Sequence, residues 1–119
     1  VKLTFAMLLI LLALSIAVGN AEPPAGADRS LAPWFHSLRV PSTGGSCCDE
    51  ADCRNYPVAV SSAGYSVEFE GKWLKVPADV VQERADNPTG AYVACVNPRH
   101  YEEGEIAPVV LCFFKAPGT

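Results

Sequence analysis

Positive charge is scarce in this chain. Its 119 residues carry nine Lys plus Arg against 13 Asp plus Glu, a formal net charge of −4. Phosphate affinity rests on clustered cations and counterion release, so nucleic acid is not expected as a partner. Histidine is scarcer still: His36 follows two aromatics and His100 lies in a polar stretch. Neither sits in a recognisable Cys–His or Ser–His nucleophile pattern. Glycine-rich phosphate motifs are missing, and Gly44-Gly45 reads as linker. Paired C-x-x-C knuckles are missing as well. Asp49, Glu50 and Asp52 lack the glycine and terminal glutamate of a calcium loop. Glu102, Glu103 and Glu105 fall in one turn and are expected to point into water. No internal repeat is visible. Together these absences argue against an enzyme.

Long apolar runs are limited to one, Leu3 to Val18, behind Lys2 and ahead of Gly19-Asn20-Ala21. At about 16 residues it is shorter than the roughly 20 that cross a bilayer core, and it matches a signal h-region closed by small residues. Residues 1–21 are therefore expected to be a signal peptide cut after about Ala21. No membrane span is expected after cleavage. The mature chain, Glu22 to Thr119, loses one cation and has a net charge of about −5. Export to the periplasm or beyond follows, and with it a setting in which neighbouring cysteines oxidise.

Residues 22–30 contain two prolines, a glycine and no large apolar side chain, and read as a disordered arm. Residues 31–117 form the expected single domain. Ser30 is placed to cap a short helix over Leu31 to Leu38, with Pro33 in its first turn. Tyr56 to Ser61 alternates as a strand, with Pro57 at its start. Tyr65 to Val76 reads as a hairpin about Glu70-Gly71, with Phe69 facing Lys72, Val67 facing Leu74 and Tyr65 facing Val76. Pro77 is expected to open a short helix over Ala78 to Ala85, ended by Asn87-Pro88-Thr89-Gly90. Ala91 to Val96 and Val109 to Phe114 are apolar on both faces, as central strands are. The fold class is mainly β (α+β): a five-stranded meander plus hairpin resembling an SH3-like open barrel, with one or two short helices, stabilised by disulfides. Trp73 stands out on the polar face of its hairpin. Trp34 and Trp73 are candidates for a surface contact, although packing of the two on each other is the favoured expectation.

The chemistry of the chain is concentrated in sulfur. Five cysteines occur: Cys47, Cys48 and Cys53 in one cluster, then Cys95 and Cys112. All five are disulfide candidates, and the odd number leaves at least one thiol over. Cys95 and Cys112 are expected to face each other about a turn near Glu103-Gly104 and to bridge, while Cys47 or Cys48 closes a small loop with Cys53. Loop closure makes these worth about 3 and about 2 kcal/mol. In a rival framework a cluster cysteine reaches Cys95 or Cys112 and pins the amino-terminal segment to the sheet. The alternative chemistry is a soft-metal site for copper or zinc built on Cys47, Cys48, Cys53 and His36, or a thiol-redox centre on the same cysteines. Asp49, Glu50 and Asp52 would suppress a thiolate there.

The strings S-C-C-D-E-A-D-C-R (Ser46 to Arg54), W-L-K-V-P (Trp73 to Pro77), N-P-T-G (Asn87 to Gly90) and C-F-F (Cys112 to Phe114) carry a resemblance. The chain resembles a family of small exported bacterial proteins with a Cys-Cys-x4-Cys-Arg signature, a Trp-x-x-Val-Pro segment and a terminal Cys-Phe. The likeness runs from about Trp34 to Pro117. It implies an architecture and brings no catalytic residue. The expected function is an exported, disulfide-stabilised, non-enzymatic binding module without a cofactor, whose partner is a protein or an envelope component.

Overall fold

The computed structural model describes residues 29–119; the expected signal peptide and most of the arm lie outside the described residues. The chain is mainly β. After a 3-10 turn at Arg29–Leu31 come two short helices, α1 (Ala32–His36) and α2 (Cys47–Glu50). Seven strands follow: β1 (Asp52–Arg54), β2 (Val58–Ser61), β3 (Gly64–Phe69), β4 (Lys72–Lys75), β5 (Val81–Gln82), β6 (Val93–Glu102) and β7 (Glu105–Phe114). They form a four-stranded sheet in the order β1-β6-β7-β5 and a three-stranded meander, β2-β3-β4. The meander and the carboxy-terminal hairpin are the two units expected from the sequence. β1 and β5 are additions that widen the hairpin into a sheet, so seven strands stand where five were expected.

The four-stranded sheet is the middle layer because its central strands are apolar on both faces. Val93, Cys95, Cys112 and Phe114 face the amino-terminal segment and pack with Trp34, Leu38, Val40, Cys47 and Ala51. Ala94, Val96, Val110 and Phe113 face the meander and pack with Val67 and Val76. Strict alternation would send Leu111 to the meander side. A bulge between the pairs Cys95–Cys112 and Val96–Val110 leaves it as the extra residue, and it joins the amino-terminal face instead.

Two of the three hairpin turns, β3–β4 and β6–β7, are Glu-Gly pairs with positive φ at each residue: 49° and 77° at Glu70-Gly71, 52° and 82° at Glu103-Gly104. Such two-residue turns match the twist of the flanking strands. In the meander hairpin, Phe69 pairs with Lys72 and Val67 with Leu74, as the alternation dictates. The Val76 N–H donates to the Tyr65 carbonyl at 3.0 Å, extending that register.

Three local expectations are corrected. The helix over 78–85 is a single 3-10 turn, Ala78–Val80, after which Val81 and Gln82 pair in parallel with Phe113 and Phe114. Too short to support itself, the segment gains more by completing the sheet edge. The first helix ends at His36, and Leu31 rather than Ser30 holds its N-cap position. Finally, the strands of the last hairpin run on through Asn97 to Pro108, a stretch that reads as loop. A second bulge between Asn97 and His100 accommodates Pro98, and the exposed Arg99 N–H donates to the Asn97 side chain at 2.9 Å.

Candidate functional site: a rank of sulfurs and an acidic β-arm

Sheet register positions the cysteines. Cys95 on β6 stands opposite Cys112 on β7, as expected, but it also stands opposite Cys53 on β1. Three cysteines thus form a row across neighbouring strands, on the face covered by α2. The bonds are Cys53–Cys95 and Cys47–Cys112, with Cα separations of 3.9 and 6.2 Å. Both expected local bridges are therefore replaced by the rival framework, used twice. The cause is tertiary. Pairing β1 on the outer edge of β6 brings Cys53 to Cys95, and the first turn of α2 sets Cys47 over Cys112. Cys47, Cys95 and Cys112 are fully buried, and their Sγ atoms all lie within 4.8 Å of one another. Cys53 is half-buried and forms the outward side of the group.

Cys48 is the leftover thiol. It donates to the Phe35 carbonyl at 3.2 Å, turned toward α1. Burial, and then the negative charge of Asp49, push its pKa above the ordinary thiol value, so it stays protonated near neutral pH. The residues proposed for a metal from sequence, Cys47, Cys48, Cys53 and His36, are not the set that the fold gathers. Among the described residues, the cluster of metal-type donors is Cys47, Cys95 and Cys112. His36 is exposed on α1. His100 lies on β6, its Nε2 3.9 Å from Glu102.

The tryptophans part company. Trp34 is buried against Phe35 and Phe114, with ring centroids 5.2 and 5.9 Å away. The Arg84 guanidinium covers its ring at 5.7 Å. Trp73 is 56% exposed on the outer face of the meander, across from Glu68. Packing of one on the other is ruled out because the amino-terminal segment and the meander cover opposite faces of the middle sheet. Arg84 also donates to both carboxylate oxygens of Asp86 at 2.7 Å each, which holds that carboxyl at about 2.

Beyond its second bulge, the β6–β7 hairpin projects as a two-stranded arm. Tyr101 and Ile106 are direct cross-strand partners there and are 68% and 65% exposed. Glu102 pairs with Glu105 beside them, and Glu103 occupies the turn. The acidic triplet was legible in the sequence, but the apolar pair at its base was not singled out. Pro98 and Pro108 interrupt the strand alternation, but the register that sets Cys95 opposite Cys112 about Glu103-Gly104 also sets Tyr101 opposite Ile106.

Asn87, which reads from the sequence as a helix stop, has a second role. Among the described residues it is the buried polar side chain. Its amide donates to the carbonyls of Ala91 and Lys115 at 2.8 and 3.2 Å. Its carbonyl accepts from the Thr89 N–H and hydroxyl at 3.0 and 2.8 Å. The N-P-T-G string is thus a polar clasp between the loop before β6 and the end of β7. A shallow depression of about 380 Å³ lies nearby, lined by Glu83–Ala85 and Lys115–Thr119. Lys115 and Glu83 pair there at 2.9 Å.

Two disulfides in a domain of this size fit an oxidising, non-cytoplasmic setting. Among the described residues no helix is long and apolar enough to cross a membrane. No protein-family model, curated protein or solved structure matches the chain.

Proposed function

We propose that the protein is an exported, non-enzymatic interaction module, braced by its disulfides, that engages a protein partner through the β6–β7 arm. The observation that carries this reading is the Tyr101–Ile106 pair. Two large apolar side chains held side by side in water do nothing for the core, yet they form a compact contact patch on a rigid strand pair. An aromatic anchor with a charged rim is the usual layout of a protein-binding hot spot. The rim here is acidic, from Glu102, Glu103 and Glu105, so the partner surface it fits is an apolar recess edged by Lys or Arg. The same charges disfavour anionic lipid surfaces and nucleic acid. Consumption of four of the five sulfurs in disulfides supports a structural role for the cysteines over a resident metal.

The test is site-specific photocrosslinking in the producing cell. A photoreactive residue at position 101 or 106 is expected to give one discrete protein adduct. The same probe at Ser62, an exposed position in the β2–β3 turn, is expected to give none. Identical adducts from all three positions, or no adduct above background at 101 and 106, would refute the proposal.

A further inference from the structure

The row of sulfurs supports an inference independent of the arm. Cys95 has two register partners, Cys53 on one side and Cys112 on the other, and it can bond to only one at a time. Its Sγ already lies within 4.8 Å of both sulfurs of the Cys47–Cys112 bridge. Of the four bonded cysteines, Cys53 alone is not fully buried, so an incoming thiolate meets that sulfur first. We propose that the two disulfides form an exchange relay: attack on Cys53 by a thiolate shifts the pairing to Cys95–Cys112 and Cys47–Cys53.

The steps balance without net oxidation. A thiolate of a small thiol or of a partner protein forms a bond to Cys53 Sγ, and the Cys53–Cys95 bond breaks with its electron pair on Cys95. The Cys95 thiolate, unscreened in the core and beside the second bridge, attacks Cys112 and expels Cys47 as a thiolate. Cys47 then attacks Cys53 in the mixed disulfide and regenerates the thiol that began the sequence. Two disulfides enter and two leave. Exchange through a mixed disulfide is the general route for such rearrangements. What changes is tethering. In the native pairing β1 and α2 are each bolted to the hairpin. In the shifted pairing the segment carrying Cys47, Cys48 and Cys53 is closed on itself and held to the sheet only by packing and backbone hydrogen bonds. Cys48 takes no part: its protonated thiol is turned to the Phe35 carbonyl, so the native pairing persists until an outside thiolate arrives.

The experiment uses the oxidised full-length mature protein with Cys48→Ala, incubated with a reduced and oxidised glutathione mixture without denaturant. It is then quenched in acid, alkylated and digested without reduction. Cleavage after Glu50 separates Cys47 from Cys53, and cleavage after Arg99 separates Cys95 from Cys112, so each pairing gives a distinct mass. The expected result is a Cys95–Cys112 peptide that accumulates with unchanged total thiol, at least tenfold faster than global unfolding measured by hydrogen exchange. Three results would overturn the relay: Cys53 glutathionylated with Cys95 alkylated and Cys47–Cys112 intact; pairing unchanged; or exchange only at the unfolding rate. A second variant, Cys53→Ser, starts the relay one step in. It is expected to show a Cys95–Cys112 fraction with Cys47 open to alkylation, and Cys47–Cys112 alone would count against the proposal.

Discussion

Removing the outer bridge is the most direct measure of how the domain is held together. The Cys47–Cys112 bond closes 65 residues of chain, with the 42-residue Cys53–Cys95 loop nested inside. With the inner bridge intact, the outer one constrains only the chain outside it, and loop-closure entropy assigns it about 3 kcal/mol. Truncating two fully buried side chains adds about 1 kcal/mol of lost packing. A domain of this length is expected to have about 5–10 kcal/mol in all. Cys47→Ala with Cys112→Ala, in a Cys48→Ala background that prevents rescue by a neighbouring thiol, is therefore expected to lose about 4 kcal/mol. The assay is equilibrium urea unfolding of variant and parent, followed by far-ultraviolet circular dichroism. The slope should steepen as the denatured chain expands, and the melting midpoint should fall by about 15–30 °C. A loss below about 1 kcal/mol would mean that the bridge constrains neither state, and the entropic reasoning would fail.

Four further outcomes follow from named groups. Asn87→Ala should cost about 2–3 kcal/mol in urea unfolding, and Asn87→Asp nearly as much, because a carboxylate cannot donate to the Ala91 and Lys115 carbonyls; equal stability to wild type would refute the clasp. Glu70→Asn should stabilise by up to about 1 kcal/mol, since asparagine tolerates the positive φ that glutamate holds there, whereas Gly71→Ala should destabilise by about as much. Asp86 is ionised more readily in the folded chain than in the unfolded one, so its contribution is present above about pH 4 and is lost as pH falls toward 2; Asp86→Asn should flatten the stability profile in that window and nowhere else. Cys48 should react with iodoacetamide more slowly than a cysteine in a model peptide at pH 8, and Asp49→Asn should speed the reaction; the raised thiol pKa also means that stability declines once pH rises past the ordinary thiol value.

Local pattern decided much of this fold. The alternation in Tyr65 to Val76 and the Glu70-Gly71 turn specify the register of the meander hairpin, because a one-residue shift would bury Glu68 and Lys75. The two-sided apolar character of Val93–Val96 and Val110–Phe114 marks the middle layer, and the turn at Glu103-Gly104 even sets Cys95 opposite Cys112. What no local rule could supply is which neighbour Cys95 bonds. That depends on β1 docking against β6, a three-residue strand with no pattern of its own. The parallel strand β5 is likewise two residues long and exists only because β7 offers it an edge. The fates of the two tryptophans follow from the same source. Trp73 reads as the anomaly of its hairpin and the two rings are expected to pack together, but the stacking of layers on opposite faces of one sheet buries Trp34 and leaves Trp73 in water. Side-chain periodicity is a property of neighbours along the chain, so it was written in the sequence. Disulfide partners and the contents of each face are properties of distant segments brought together, and they were decided when the sheet assembled.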